Sequence, residues 1–469
     1  MAAHHKETEE KKSKVPHIFV ILFGLMVIAY ILSFLIPQGA FNREINAEGT
    51  EVIVPGTFSF TEEGPASFFQ LLLAIPNGLI ETAEIIFGIL MIGGMFAVIE
   101  KAGLIQLGVN KLGNLFKDKS VLIIPTLMIP FALFTTFTAQ VELSLIYLPT
   151  ILPLMLRLGY DRIAAAGTVL IATIAGFTIG LTTPANLGVA QEISGLPLYS
   201  GLAYRIIILA IILLIGIFHV IRYANKIKGD PSKSLMYDEG FTSQDRPVFK
   251  VLKATPRQLA ASIVLLVAIA ILIYGLIEHQ WYFKELSGLY IITGIIIGLI
   301  TGLRPTEISE SFLDGFKQIL LGAMIVGVAR GVALVLNDGN IMDTIIYGTN
   351  IIIESVPGSV TAVVMMFVQA GLNFLIPSGS GQAMVTMPIM SGLADLSDIT
   401  RQTSVLAFLM GDGFTNIIFP TSGYFMATLA LARVKWEKWV KFILPLIIIW
   451  YIAGAIFLVI AQVIAYGPF

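Results

Sequence analysis

Two short stretches of this chain put polar side chains where an apolar helix should continue. The first reads Gly180-Leu181-Thr182-Thr183-Pro184-Ala185-Asn186. The second reads Gly411-Asp412-Gly413-Phe414-Thr415-Asn416, followed by Pro420-Thr421-Ser422-Gly423. Proline lacks the amide hydrogen and glycine tolerates reversals, so each stretch interrupts a helical ladder. The released N–H and C=O groups need partners, and Thr, Ser and Asn can supply them or meet a ligand. One kink patched by local hydroxyls would be ordinary. Two, at corresponding places, predict a binding site that draws on Thr182, Thr183, Asn186, Asp412, Asn416, Thr421 and Ser422.

Three ionisable groups fall inside apolar runs: Glu142, Arg330 and Asp412. Charges at membrane depth are costly and are found paired or functional. Glu142 and Asp412 are expected to bind an ammonium group or carry a proton, and Arg330 to face a carboxylate. The competing reading of Arg330 is an internal pair with an acid that fixes helix packing. Glu81, Glu84 and Glu100 lie near span ends, where solvation is expected. His219 is expected to snorkel to the nearby surface.

The elements that must carry these groups follow from composition. Of 469 residues, 56% are apolar and only 13% charged, against roughly 25% charged in soluble domains. A soluble chain could not clothe its surface with that. Apolar blocks at 17–37, 84–102, 162–181, 201–221, 258–278, 287–303, 318–336, 402–432 and 442–466 predict nine spans, since about 20 apolar residues cross a bilayer. The first block is read as a retained span rather than a removed signal. Two further apolar segments, 119–157 and 359–394, are broken in their middles. With arms of about 15 residues each, they predict re-entrant hairpins. Thr138, Gln140 and Glu142 would form the first tip, and Ser378, Gly379, Ser380 and Gln382 the second. Ser378 and Ser380 could donate to a substrate carboxylate there.

Basic residues collect on the cytoplasmic side of membrane proteins. Residues 1–16 hold four lysines and 222–257 eight basic groups, whereas 337–358 hold three acids and no basic group. These counts predict an inside N-terminus. The chain also repeats. Gly103-Leu104-Ile105 resembles Gly339-Asn340-Ile341, and Pro149 matches Pro388. Gly176-Phe177-Thr178 before Pro184 matches Gly413-Phe414-Thr415 before Pro420. One extra span, 287–303, stands where the first half has the 38–66 loop, and it would invert the second half. The predicted organisation is a segment at 1–16, a first repeat at 17–224 and a linker at 225–257. A second repeat follows at 258–469. The fold class is an all-α polytopic membrane protein. Inverted repeats with broken helices point to a secondary transporter, with its site near the midplane.

Several classes are excluded. A net charge of −2 gives no field for nucleic acid, and the absence of cysteine removes disulfides and thiolate chemistry. Five scattered histidines predict no zinc-type metal site, and no cofactor is expected. No phosphate-binding Gly-x-x-x-x-Gly-Lys-Ser/Thr loop occurs. Asp161 and Asp412 look superficially like the pair of an intramembrane aspartyl protease. The Gly-x-Gly-Asp pattern fails at Leu409, so no enzyme is expected. A channel would need a continuous polar pore, but the polar residues collect at one depth.

The stretch Asn373 to Ala383, with Met387-Pro388-Ile389-Met390, Arg401-Gln402 and the 411–423 motif, resembles the YfcC-type carriers. These are grouped with basic amino acid antiporters and anaerobic dicarboxylate carriers in the ion transporter superfamily. Leu158-Gly159-Tyr160-Asp161, Ala190-Gln191, Gly195-Leu196-Pro197 and Val328-Ala329-Arg330-Gly331 extend the resemblance over essentially the whole chain. It implies a carrier in the inner membrane, driven by sodium or protons, and a homodimer. A sodium ion would sit near Asn186 and Asn416. The expected solute is a small carboxylate-bearing molecule, an amino acid first and a basic one by family. A dicarboxylate or short-chain fatty acid is the alternative. One departure counts against a strictly basic solute. The family's first tip carries two adjacent glutamates, and here only Glu142 matches.

Overall fold

The computed structural model describes residues 18–45, 51–116, 119–239, 253–279, 281–397 and 399–467. The predicted segment 1–16 and residues 240–252 of the predicted linker lie outside the described residues.

The first half opens with α1 (Ile18–Leu35) and four short strands, β1 (Gly39–Ala40), β2 (Arg43–Ile45), β3 (Glu51–Ile53) and β4 (Ser59–Phe60). β1 pairs with β4 and β2 with β3, both antiparallel. Helices α2 (Phe68–Glu81), α3 (Ala83–Lys101) and α4 (Leu104–Phe116) follow. The first predicted hairpin is α5 (Ile123–Thr138) and α6 (Ser144–Arg157). The half closes with α7 (Arg162–Thr178), a π-turn at Pro184–Gly188, α8 (Val189–Ile193) and α9 (Leu202–Gly229). The second half runs α10 (Pro256–Glu278), α11 (Phe283–Thr301), α12 (Pro305–Asp338) and α13 (Met342–Glu354). The second predicted hairpin is α14 (Gly358–Leu375) and α15 (Gly379–Leu396). Then come α16 (Arg401–Thr415), α17 (Gly423–Ala432) and α18 (Trp436–Val463). The protein is an all-α polytopic membrane protein. Among the described residues, eight helices are long and apolar enough to cross a bilayer.

Seven of the nine expected spans are single helices long enough to cross, whereas 162–181 holds the 17-residue α7 and 402–432 is divided between α16 and α17; the eighth long run, 120–138, belongs to a predicted hairpin. Several helices outrun their apolar blocks, two of them by the most. The block 84–102 is the end of α2–α3, which bends only at Thr82, and 318–336 is the end of the 34-residue α12. Hydropathy misses the outer turns because they carry Gln70, Asn77 and Glu81 in one helix and Glu307, Glu310, Asp314 and Lys317 in the other. These two long elements pack antiparallel. Gly78 meets Gly327 near one end and Gly315 meets Gly93 near the other. A Cβ on Gly315 would stand 2.3 Å from the Gly93 carbonyl oxygen, so backbone contact requires glycine there. α11 packs on α3 and α1 on α12. The junctions α3–α4 and α12–α13 both turn through left-handed backbone, at Gly103 (φ 78°) and Asn340 (φ 53°).

Both broken segments fold back on themselves. Phe131 stacks on Tyr147 at 3.9 Å across α5 and α6. At the base the Ser120 and Tyr160 hydroxyls lie 2.8 Å apart. Across α14 and α15, Gln382 donates to the Gln369 side chain at 2.7 Å. The arms correct the expected length: α14 and α15 have 18 residues each, and the apolar run 120–138 has 19. At 1.5 Å per residue, 18 residues rise about 27 Å, close to the hydrocarbon thickness. Arm length alone therefore gives α14 and α15 no reason to re-enter, whereas α6, with 14 residues, rises only about 21 Å, as expected of a short arm.

α5 and α6 lie on α7, and α14 and α15 lie on α16. As a result every residue of α7 after Arg162 and of α16 after Arg401 is buried. A helix enclosed on all sides reaches no lipid, which allows the interrupted helices to carry Thr, Ser, Asn and Asp.

Candidate functional site

The first break follows Thr178. Four carbonyls lose their helical partners and each is answered. Asn186 Nδ2 donates to Phe177 O at 3.0 Å, and Thr136 Oγ1 to Ile179 O at 3.2 Å. The Arg205 guanidinium, on α9, donates to Gly180 O at 3.0 Å and Leu181 O at 3.2 Å. The Leu181 amide donates to Thr136 Oγ1 at 3.0 Å. Arg205 is 1% exposed and lies inside an apolar stretch, the same signal that marked Arg330, so it could have been found.

The second break follows Thr415. The indole of Trp439 donates to Ile417 O at 2.7 Å and that of Trp436 to Ile418 O at 2.9 Å. Asn416 Nδ2 turns back to Asp412 O at 3.0 Å. The two breaks touch. A Cβ on Gly413 would stand 2.1 Å from Thr178 Oγ1, so only glycine lets α16 pass this close to α7.

Asp412 is fully buried. Its Oδ1 accepts from Asn373 Nδ2 of α14 and, at 3.5 Å, from Asn416 Nδ2. Its Oδ2 has no hydrogen-bond partner. That oxygen points to the start of α15: an added Cβ on Gly379 would lie 3.2 Å from it and 3.2 Å from the Asn186 Cβ. So Asn186, Gly379, Asp412 and Asn416, four of the sequence candidates, converge. Further buried oxygens without partners belong to Thr178, Thr183, Asn373, Gln382, Thr421, Ser422 and Tyr424. Buried polar atoms are nearly always satisfied in folded proteins, and their concentration at the two breaks marks a place for a ligand. Tyr424, on α17, adjoins Ser422 and lies within electrostatic range of both Glu142 and Asp412. It ties the first tip to the second break.

Other candidates are engaged elsewhere. Thr138 Oγ1 donates to Phe134 O at 3.1 Å, and Gln140 Nε2 to Trp281 O at 3.1 Å. The Thr182 amide donates to Thr136 O. Ser378 caps α15 by accepting from the Gly381 amide at 3.3 Å. Ser380 is half-buried. Arg330 Nε donates to Glu81 at 2.8 Å. Glu81 is thereby paired and still exposed, because α2 lies along α12. Glu84 accepts from the Lys284 amide at 3.0 Å. His219 does not snorkel freely; its Nε2 lies 2.9 Å from Phe442 O. Asn373, Trp436, Trp439 and Tyr424 are not among the residues expected at the site, and their roles arise from packing.

The sequence model of a family described as C4-dicarboxylate anaerobic carrier, DcuC, matches residues 15–463. A protein of Escherichia coli K12 named "Putative basic amino acid antiporter YfcC" is 30% identical over 98% of this chain and 99% of its own. An uncharacterised protein of Haemophilus influenzae is 27% identical over 96% and 98%. Among solved structures, Neisseria gonorrhoeae MtrF, reported with a class of antimetabolite efflux pumps, aligns over 96% of both chains. The identity there is 17% and the TM-score 0.42.

Proposed function

Because the chain belongs to the C4-dicarboxylate anaerobic carrier family, and is therefore a membrane transporter and not an enzyme, we propose that its cargo is a small carboxylate-bearing solute. An amino acid ranks first, with a basic one exchanged across the cytoplasmic membrane. The observation that carries this is Asp412. It is fully buried, one of its oxygens has no partner, and among the described residues no basic side chain pairs with it or with Glu142. An unpaired buried carboxylate is expensive. An ammonium group or a cation removes that cost. The relative named as a basic amino acid antiporter supports the same choice.

The acceptor oxygens of Thr178, Thr183, Asn373 and Asp412, all without donors, suit a hard cation that takes oxygen ligands, such as sodium. Sodium or proton coupling is part of the proposal. So is alternating access between two inverted halves, with re-entrant tips and the N-terminus inside. The antiparallel run of α2–α3 beside α12 and the matching left-handed junctions support the inversion. The family description favours a dicarboxylate as the second choice. That solute would face two acids, which is unfavourable unless they are protonated or hold a cation.

Uptake into proteoliposomes tests the proposal, with labelled arginine, neutral amino acids, succinate and butyrate, with and without sodium and proton gradients. Saturable amino acid exchange is the expected result. Uptake of succinate or butyrate, with no amino acid transported, would reject the ranking.

A further inference from the structure

Two helices, α15 and α17, start beside the second break, and their N-termini are finished differently. α15 starts at Gly379 and is capped: Ser378 Oγ accepts from the Gly381 amide. The free Oδ2 of Asp412 already faces that end. α17 starts at Gly423. Its N-cap residue, Ser422, has extended backbone, but its hydroxyl caps no amide. α7 and α16 are capped by Asp161 and Thr400, and α8 starts after Gly188, which has no side chain to cap with, so among the helices of the two breaks α17 alone has an N-cap hydroxyl that goes unused. Serine at an N-cap ordinarily accepts from the second or third amide of the helix. Here the hydroxyl is left over, and so are those of Thr421 and Tyr424. The residues are 1%, 2% and 8% exposed; the Thr421 hydroxyl has no partner, and those of Ser422 and Tyr424 have none beyond each other.

An uncapped N-terminus presents free amides and about half a positive charge. Such an end binds anions. Hydroxyls that can rotate to donate complete the set. The free oxygen of Asp412 faces α15, and Glu142 lies at the first tip; both acids are within electrostatic range of Tyr424. We infer that the substrate carboxylate seats on the N-terminus of α17, held by Ser422, Thr421 and the Tyr424 hydroxyl, and not on the serines of the α15 tip. The ammonium end then meets Asp412 or Glu142, which flank Tyr424. The site thus reads a zwitterion by separating its two charges along α17. This rests on the proposed carriage of a carboxylate-bearing solute.

Binding titrations with the purified full-length protein separate the two claims. The probes are L-arginine against argininamide, and succinate against its monoamide, succinamate. The pair that binds wild type is followed. Ser422→Ala and Thr421→Ala should each weaken the acid about tenfold or more and the amide by less than about threefold, as expected for loss of a hydrogen bond to a charged group. The preference for acid over amide then collapses. Ser378→Ala, which uncaps α15, should weaken acid and amide by one common factor. Should Ser422→Ala fail to fold, Ser422→Asn replaces it. Asparagine caps the free amides itself, so the melting temperature should hold or rise while acid affinity falls. A preference that survives at positions 421 and 422, or that collapses in Ser378→Ala, overturns the assignment to α17. Wild type that binds succinate and not arginine leaves the α17 assignment readable and rejects only the amino acid. Wild type that binds neither pair overturns both.

Discussion

In the first half the carbonyls freed beyond Thr178 are gathered mainly by one guanidinium, that of Arg205. In the second half those beyond Thr415 are taken by two neutral indoles, Trp436 and Trp439, at the start of α18. The first arrangement brings a fixed positive charge to the break and satisfies it. The second satisfies the backbone without charge, so Asp412 keeps an unanswered oxygen and the hydroxyls of Thr421, Ser422 and Tyr424 stay free. The same backbone device therefore serves two ends. At the first break the freed carbonyls are answered and the hydroxyls of Thr178 and Thr183 remain without partners, while the second leaves a carboxylate oxygen and three hydroxyls open.

That contrast can be broken in order of expected effect. Asp412→Asn should abolish solute binding and transport, a loss of a hundredfold or more on the order of a lost buried charge contact, while the protein inserts and melts normally. Normal transport by this variant would make Asp412 a mere patch for the kink. Arg205→Ala should instead attack folding. It strands several buried carbonyls, each worth about 1–3 kcal/mol, so a fall in stability of about 3 kcal/mol or more is expected from thermal melting in detergent. A wild-type melting curve would show that water or neighbours close the first break without the guanidinium.

Trp439→Phe keeps the ring volume and removes one donor, so about 1 kcal/mol is expected. A loss as large as that of Arg205→Ala would erase the difference between the breaks. The smallest effect belongs to Arg330→Gln. Arg330 and Glu81 are 37% and 43% exposed, and such pairs contribute about 0–1 kcal/mol. Transport kinetics should be nearly unchanged. A large rise in KM would return Arg330 to the solute site.

Much of this was legible in the chain. Pro184, Pro420 and the glycines around them announced both breaks, because missing amides and missing Cβ atoms act locally. Asp412 was found because a carboxylate in an apolar run has few ordinary explanations. Arg205 offered the same signal. Asn373 did not, since an asparagine near a helix end is unremarkable until α14 lies against α16. The strands at 39–60 and the outer turns of α2 and α12 escaped because their polar residues break the hydropathy on which spans are recognised.

The sequence by itself determined the membrane class, the two broken segments and the two interrupted helices. Each of these follows from periodicity, run length and the local chemistry of proline and glycine. Only the tertiary structure decided which polar groups are spent and which are left over. Arg330 and Arg205 both stand in apolar helices, yet one meets Glu81 and the other meets bare carbonyls. Ser378 and Ser422 both precede helices, yet one is used as a cap and the other is free. A hydrogen bond depends on distances of a few tenths of an ångström between elements hundreds of residues apart, and those distances are set by packing rather than by neighbours in the chain.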